Sequence, residues 1–100
     1  MTLNSRQRKQ LKALANSLQP MVWIGKNGLS DTAVSQTDEV LDSHELVKCV
    51  VQDGAPVDER EAADKLAQRL HAELVQVIGH RFVLYRRTAK EGVSQIQLVR

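Results

Sequence analysis

One short segment, Gly25-Lys26-Asn27-Gly28, combines residue types that could bind a phosphate group. An apolar run precedes it, and Ser30, a good helix N-cap residue, follows it at the start of a helical pattern. Two glycines let the backbone turn sharply and leave no side chain to block a ligand. The free amide groups and the positive dipole end of a following helix favour an anion at the same place. The segment therefore predicts a phosphate-binding loop in which Lys26 is a mobile cation.

The spacing Gly-x-x-Gly between a strand and a helix is also that of the loop with which KH-type RNA-binding modules clamp nucleotides. The same spacing occurs in ordinary turns, so the loop alone leaves both interpretations open. Asp31 suits the first turn of the next helix, but it places a negative charge beside the proposed phosphate site. The choice between a binding loop and a plain turn therefore depends on the rest of the chain.

The charges of the chain are segregated along the sequence, although the net charge is only +2. Residues 1–28 carry five cations and no acid, residues 29–64 carry ten acids and two cations, and residues 65–100 carry seven cations and two acids. A folded body of this kind would have one basic and one acidic face, and a polyanion would approach the basic one. The pattern favours a nucleic-acid partner. A protein partner bound by the acidic face of the second predicted helix is the alternative.

Length and composition indicate a single domain. One hundred residues are enough for one hydrophobic core but not for two. No apolar run approaches the ~20 residues of a transmembrane helix, and no signal-peptide pattern follows the first residues. The single cysteine excludes a disulfide framework and a cysteine-based metal site, and three aromatic residues are too few for an array of stacking aromatics. We expect a cytoplasmic protein with no membrane association, metal or cofactor.

Catalysis is not indicated by any combination of residues. The nucleotide-binding loop of ATPases is longer and ends in Lys-Ser or Lys-Thr, an ending that this loop lacks. Cys49 has no basic neighbour in sequence other than Lys48 and is expected to be a small buried residue. We therefore predict a monomeric protein that is not an enzyme and has no small-molecule substrate.

The hydrophobic patterns predict seven elements that must position the loop. In chain order they are a helix over 5–18, a strand over 21–24, a helix over 31–43, a strand over 46–52, a helix over 58–71, and strands over 73–78 and 81–85. The first two strands are joined through a helix and should be parallel, whereas the last two form an antiparallel hairpin. The predicted fold is a single compact α/β domain with a four-stranded mixed sheet and helices packed on it.

The first predicted helix carries cations of a single sign, Arg8, Lys9 and Lys12, largely away from its apolar arc. No acid lies among them to form ion pairs with residues one turn away. Most charged helix faces are simply solvated, and a polyanionic partner would relieve the repulsion between Arg8 and Lys12. Both interpretations remain open for this helix.

The element order and several sequence segments together resemble the CRM domain, named for chloroplast RNA splicing and ribosome maturation, in its stand-alone bacterial, YhbY-like form. The resemblance covers roughly residues 3–87 and is carried by Leu3 and by residues 8–15, 25–29, 44–48, 75–79 and 83–86. It implies a fold like the C-terminal domain of bacterial translation initiation factor three, with a KH-like glycine loop. It also implies a non-catalytic RNA-binding protein that acts on ribosomal RNA or large-subunit precursors during ribosome maturation.

The resemblance implies which residues bind RNA. They are the loop residues Gly25, Lys26, Asn27 and Gly28 and the helix cations Arg8, Lys9 and Lys12; Arg86 and Arg87 would extend the patch if the last strand ends near the first helix.

The sequence departs from the family pattern at two positions, Trp23 and Arg87. Trp23 stands where an aliphatic strand residue is expected, so it is either a core residue or a base-stacking neighbour of the loop. Arg87 stands where the bacterial form usually has proline. Residues 88–100 carry little resemblance, so we predict a domain over 1–87 and a tail over 88–100 that is either loose or a short edge strand.

Overall fold

The computed structural model describes residues 2–100, in which seven elements follow the predicted order. Their bounds are α1 Ser5–Ala15, β1 Val22–Ile24, α2 Asp31–His44, β2 Leu46–Val51, α3 Glu59–Leu70, β3 Glu73–Ile78 and β4 Arg81–Tyr85. The helix α1 ends earlier than predicted because its last turn tightens: the amides of Ser17 and Leu18 bond to carbonyl oxygens only three residues back. Asn4 begins this helix with a capping box formed with Gln7.

The four strands form one mixed sheet in the order β1-β2-β4-β3, which confirms the predicted fold class. β1 is parallel to β2, and β4 is antiparallel to both of its neighbours. The amide of Val51 donates to the carbonyl of His80 at 2.8 Å, and that of Gln52 to the carbonyl of Ile24 at 2.8 Å. The loops after β1 and β2 and the turn between β3 and β4 therefore meet at one end of the sheet. We call this the loop end.

The two faces of the sheet are covered differently. α2 and α3 pack on one face, where the side chains of alternate strand positions form the larger core with Leu41 and Leu66. On the other face, α1 packs through Leu11 and Ala15 against residues that lie mainly away from the loop end. These are Leu46, Val75, Val83 and Tyr85. Toward the loop end, this second face is left partly open.

Trp23 is not a core residue, which corrects one of the two interpretations from sequence, because it lies on the open part of the second face. Val22 and Ile24 point into the core beneath α2, whereas Trp23 points to the opposite side of the strand and is 53% exposed.

Cys49 is buried as predicted, and desolvation raises the pKa of its thiol to about 12. The thiol is therefore protonated at neutral pH and is a poor nucleophile.

Residues 86–100 contain no helix or strand, yet they are bonded to the rest of the domain. The buried carboxylate of Glu45 accepts the backbone amide of Thr88 at 2.7 Å and that of Ile96 at 2.5 Å. The side chain of Gln10 in α1 donates to the carbonyl of Gln97 at 2.8 Å. The segment thus closes over the layer between α1 and the sheet, where Ile96 and Leu98 pack.

Candidate nucleic-acid interface

The Gly25–Gly28 loop is a tight turn joined directly to the N-terminus of α2. The amide of Gly28 donates to the carbonyl of Gly25 at 2.9 Å, which closes the turn. Ser30 then caps the helix, because its hydroxyl oxygen accepts the amide of Ala33 at 3.2 Å. The side chains of Lys26 and Asn27 at the tip are exposed. The loop therefore presents a cation and an amide side chain in front of the positive end of a 14-residue helix.

The two glycines of the loop have different roles. Gly28 has a φ of +59°, and a Cβ atom there would lie 2.9 Å from Cγ of the Pro56 ring. Gly25 has no left-handed backbone, and a Cβ there would meet only the Oε1 atom at the flexible end of Gln52, at 2.9 Å. Gly28 is thus required by the fold. Gly25 is not required in this way, so the space left by its missing side chain is available to an approaching ligand.

A small pocket of about 150 Å³ opens beside the loop. Its walls are the four loop residues, Trp23 from β1, and the first turns of α2 at Ser30, Thr32, Ala33 and Gln36. The pocket therefore lies between the end of β1, the glycine loop and the N-terminal part of α2. Asp31 is exposed in the first turn of the same helix, as the sequence indicated, so one negative charge lies close to the loop.

The cations of α1 differ in their freedom to bind a ligand. Arg8 is half-buried, and its guanidinium donates to the carbonyl oxygens of Leu74 and Val75 in β3. These carbonyls lie where the register between β3 and β4 shifts, so Arg8 fastens the helix to an irregular strand. Lys9 and Lys12 are exposed, and neither forms an ion pair with any of residues 2–100.

Arg86 does not extend the cationic surface of α1, contrary to the expectation from sequence. Its guanidinium donates to Asp38 Oδ1 at 2.8 Å, to Asp42 Oδ1 at 2.9 Å and to the carbonyl of Leu70 at 2.8 Å. These partners belong to α2 and α3, on the face of the sheet opposite α1. The side chain is only 18% exposed, so its charge is used to hold both helices and to neutralise part of the acidic face of α2. Arg87, the next residue, is exposed.

The different environments of these two arginines give a stability prediction. We expect Arg86→Met to lower the free energy of unfolding by about 2 kcal/mol, because it leaves two carboxylates and a carbonyl without their charged donor. Arg87→Met should change it by less than about 0.5 kcal/mol, as is usual at exposed positions. Urea unfolding followed by circular dichroism measures both values, and equal effects of the two substitutions would contradict the assignment.

Two cations that sequence reasoning did not single out, Lys48 and Arg81, lie on the open part of the second face. Lys48 is half-buried and Arg81 exposed. The signal for Lys48 was available, because the alternation of β2 places it on the same side as Leu46 and Val50. The signal for Arg81 was missing, because the pattern of β4 did not reveal that α1 leaves this end uncovered.

The turn between β3 and β4 brings one further titratable pair to the loop end. His80 Nδ1 lies 2.9 Å from Oε1 of Glu59, the first residue of α3. The backbone amide of Glu59 and the bonded His80 ring lower the pKa of this carboxyl group.

Among residues 2–100, no three potential ligands are grouped as a metal site. In the same part of the chain, no helix has the length and apolar character needed to cross a membrane.

Comparison with known proteins connects this geometry to a family. The family model described as the CRS1 / YhbY (CRM) domain matches residues 3–86. A protein of Bacillus subtilis named "probable RNA-binding protein YqeI" is 34% identical over 96 residues, which are 96% of this chain and 98% of the relative. A protein of Haemophilus influenzae named "RNA-binding protein" is 34% identical over 99 residues, 99% of this chain and 97% of the relative.

A solved structure has the same fold. The solution structure of the hypothetical protein SAV1595 from Staphylococcus aureus superposes with a TM-score of 0.75 at 32% sequence identity. The similarity covers 95% of this chain and 100% of that one. The arrangement of three helices on a four-stranded mixed sheet is therefore shared over essentially the whole chain.

Proposed function

This chain belongs to the CRS1 / YhbY (CRM) domain family, and on that premise we propose that it is a non-catalytic RNA-binding protein. The observation that carries the proposal is the Gly25–Gly28 turn set against the N-terminus of α2, with the exposed Lys26 at its tip. Backbone amides and a mobile cation are the groups that phosphates bind. The names of the relatives from Bacillus subtilis and Haemophilus influenzae support the same function.

The RNA backbone would be held at two places. The loop, with Gly25, Asn27 and Gly28 beside Lys26, takes one or more phosphates in front of the α2 dipole. Lys9 and Lys12 on α1 take others, since both side chains are exposed and unpaired within residues 2–100. Recognition through phosphates and shape suits a structured RNA, and the resemblance to the bacterial family members points to ribosomal RNA or large-subunit precursors in the cytoplasm.

Charge reversal tests this proposal. We expect wild-type protein to bind fragments of ribosomal RNA with a steep salt dependence. About five phosphate contacts predict a slope of log K against log salt of about −3.5, at ~0.7 per phosphate. The double variant Lys12→Glu with Lys26→Glu should lose more than about tenfold in affinity at low salt. Its slope should fall to about −2, because two contacts are removed.

A matched control separates a site from a simple effect of net charge. The double variant Arg60→Glu with Lys65→Glu changes the net charge equally but alters exposed cations of α3, where they pair with Asp64 and Glu61. It should keep the wild-type slope within error. Equal losses in both double variants would remove the loop and α1 from the proposal. The absence of RNA binding by folded wild-type protein at low salt would overturn the function itself.

A further inference from the structure

A row of four residues crosses the open part of the sheet from edge to edge. Trp23 in β1 is in register with Val50 in β2, Val50 with Arg81 in β4, and Arg81 with Ile78 in β3. Because paired residues of neighbouring strands point to the same face, all four side chains lie on the face that carries α1. Trp23 is 53% and Ile78 64% exposed. The exposed tryptophan and isoleucine therefore add apolar surface to the part of the sheet that α1 leaves uncovered.

The row lies between the two places where the RNA backbone is proposed to bind. The glycine loop begins at Gly25, directly after Ile24, the last residue of β1, and lies at the loop end. α1 packs on the other end of the same face, on Leu46 and Tyr85. Three strand spacings of about 4.8 Å make the row about 14 Å wide. A strand of nucleic acid that runs from the loop to α1 would therefore cross it.

Trp23 also lines the pocket of about 150 Å³ beside the glycine loop. Trp23 thus lies next to loop backbone suited to phosphate, and its side chain leaves β1 on the face opposite α2. A nucleotide carries both matching parts, a flat base and a phosphate, linked by a sugar.

The charges around the row favour a polyanion. Arg81 belongs to the row, Lys48 lies one row away on β2, and Lys26 stands at the loop tip. None of these three cations pairs with a carboxylate among residues 2–100. Two acids lie nearby: Asp31 is exposed close to the loop in the first turn of α2, and Glu59, the first residue of α3, is bonded to His80. An exposed indole can stack on a base, and unpaired cations can neutralise phosphates. The surface is therefore complementary to unpaired nucleotides.

We propose that this sheet surface, formed by Trp23, Val50, Ile78, Arg81 and Lys48, binds the bases of a single-stranded RNA segment, with one base stacked on the Trp23 indole. The proposal rests on the proposed function and specifies its ligand. A base within a duplex is already stacked and paired, so only an unpaired base can take this position. The single tryptophan gives one stacked base, whereas RNA-recognition motifs use several aromatics on their sheets to stack two or three.

Because Trp23 is the only tryptophan, its fluorescence reports on this site alone. The experiment titrates the full chain with an unstructured 12-nucleotide RNA and with a duplex containing the same strand. Anisotropy of an end label on the RNA measures binding, and tryptophan emission with unlabelled RNA measures stacking. We expect the single strand to quench the emission by more than half and the duplex to leave it nearly unchanged.

Substitutions give the second readout. Trp23→Leu should weaken binding of the single strand about tenfold, in line with the stacking contribution of one base, and should change duplex binding less than twofold. Trp23→Phe should retain most of the affinity because it keeps an aromatic ring. Leu14→Ala, at an exposed apolar position of α1 outside the surface, is the matched control and should bind as wild type. Circular dichroism confirms that each variant is folded.

The outcomes separate this proposal from the one it rests on. If labelled RNA binds with the expected salt dependence, but tryptophan emission does not change and Trp23→Leu binds as wild type, the stacking site is wrong and the proposed function stands. If RNA of neither form binds, both proposals fail. Self-association that Trp23→Leu abolishes without any change in RNA affinity would assign the surface to a second copy of the chain and overturn its role in RNA binding.

Discussion

Glu45→Gly is expected to lower the free energy of unfolding by about 3 kcal/mol, even though glycine suits the backbone at this position better than glutamate. Glu45 has a φ of 65° at the end of α2, a conformation that glycine adopts without strain. Its buried carboxylate, however, is the acceptor for the amides of Thr88 and Ile96. Removing it leaves two backbone amides without a partner, and hydrogen bonds to charged groups contribute about 1.5–3 kcal/mol each. The lost bonds should therefore outweigh the relieved backbone.

His71→Gly is the matched control for this prediction. His71 ends α3 with a φ of 54°, but its side chain is exposed and forms no hydrogen bond or ion pair with any of residues 2–100. The substitution should raise the free energy of unfolding by up to about 1 kcal/mol. Urea unfolding at constant pH measures both variants. If Glu45→Gly is as stable as His71→Gly, the carboxylate contributes nothing net to stability and residues 88–96 must be held by their apolar contacts.

Gly28→Ala is expected to lower the free energy of unfolding by about 2 kcal/mol, whereas Gly25→Ala should lower it by less than about 0.5 kcal/mol. At Gly28 the new methyl group meets both an unfavourable positive φ and the rigid ring of Pro56. At Gly25 the neighbouring atom is the mobile amide oxygen of Gln52, which can move away. The double variant Gly28→Ala with Pro56→Ala should recover part of the loss, since the ring is then absent. No recovery would assign the whole cost to the backbone conformation.

The same pair of substitutions separates stability from binding. Gly25→Ala should keep the fold and yet weaken RNA binding about tenfold, because a methyl group at the turn keeps phosphate oxygens away from the loop amides. Anisotropy titrations with the ribosomal RNA fragments measure this change. Wild-type affinity for Gly25→Ala would show that RNA does not approach the loop backbone at this glycine.

Much of the fold could be predicted from the sequence because its signals are local. The alternation in β2, the two-residue turn at Gly79 and His80, and the crossover between β1 and β2 each follow from a short stretch of residues. Together they define the order of elements and the mixed sheet. The sequence could not show that α1 covers only one end of its sheet face. Trp23 was for that reason open to interpretation as a core residue, since one side of β1 is indeed fully buried.

The interactions that were missed connect residues distant in sequence. Glu45 looks like an ordinary polar residue at the end of a helix, and its partners Thr88 and Ile96 are 43 and 51 positions away. Arg86 pairs with Asp38 and Asp42 at separations of 48 and 44 positions. Its position directly after β4 suggested proximity to the basic helix, but the alternation of the strand turns it to the opposite face. Charge counts along the chain cannot distinguish such an internal ion pair from a cation available to RNA.

The contact between Gln10 and Gln97 has a consequence for the order of events during synthesis. The two residues are separated by 87 positions, which a translating ribosome covers in about 4–17 s at 5–20 residues per second. For most of this time α1 has been made, while the strands β3 and β4 and the segment that closes over the helix are still missing. Its apolar residues, Leu11 among them, therefore wait for partners near the other end of the chain. The first helix to be synthesised is the last to be fully packed.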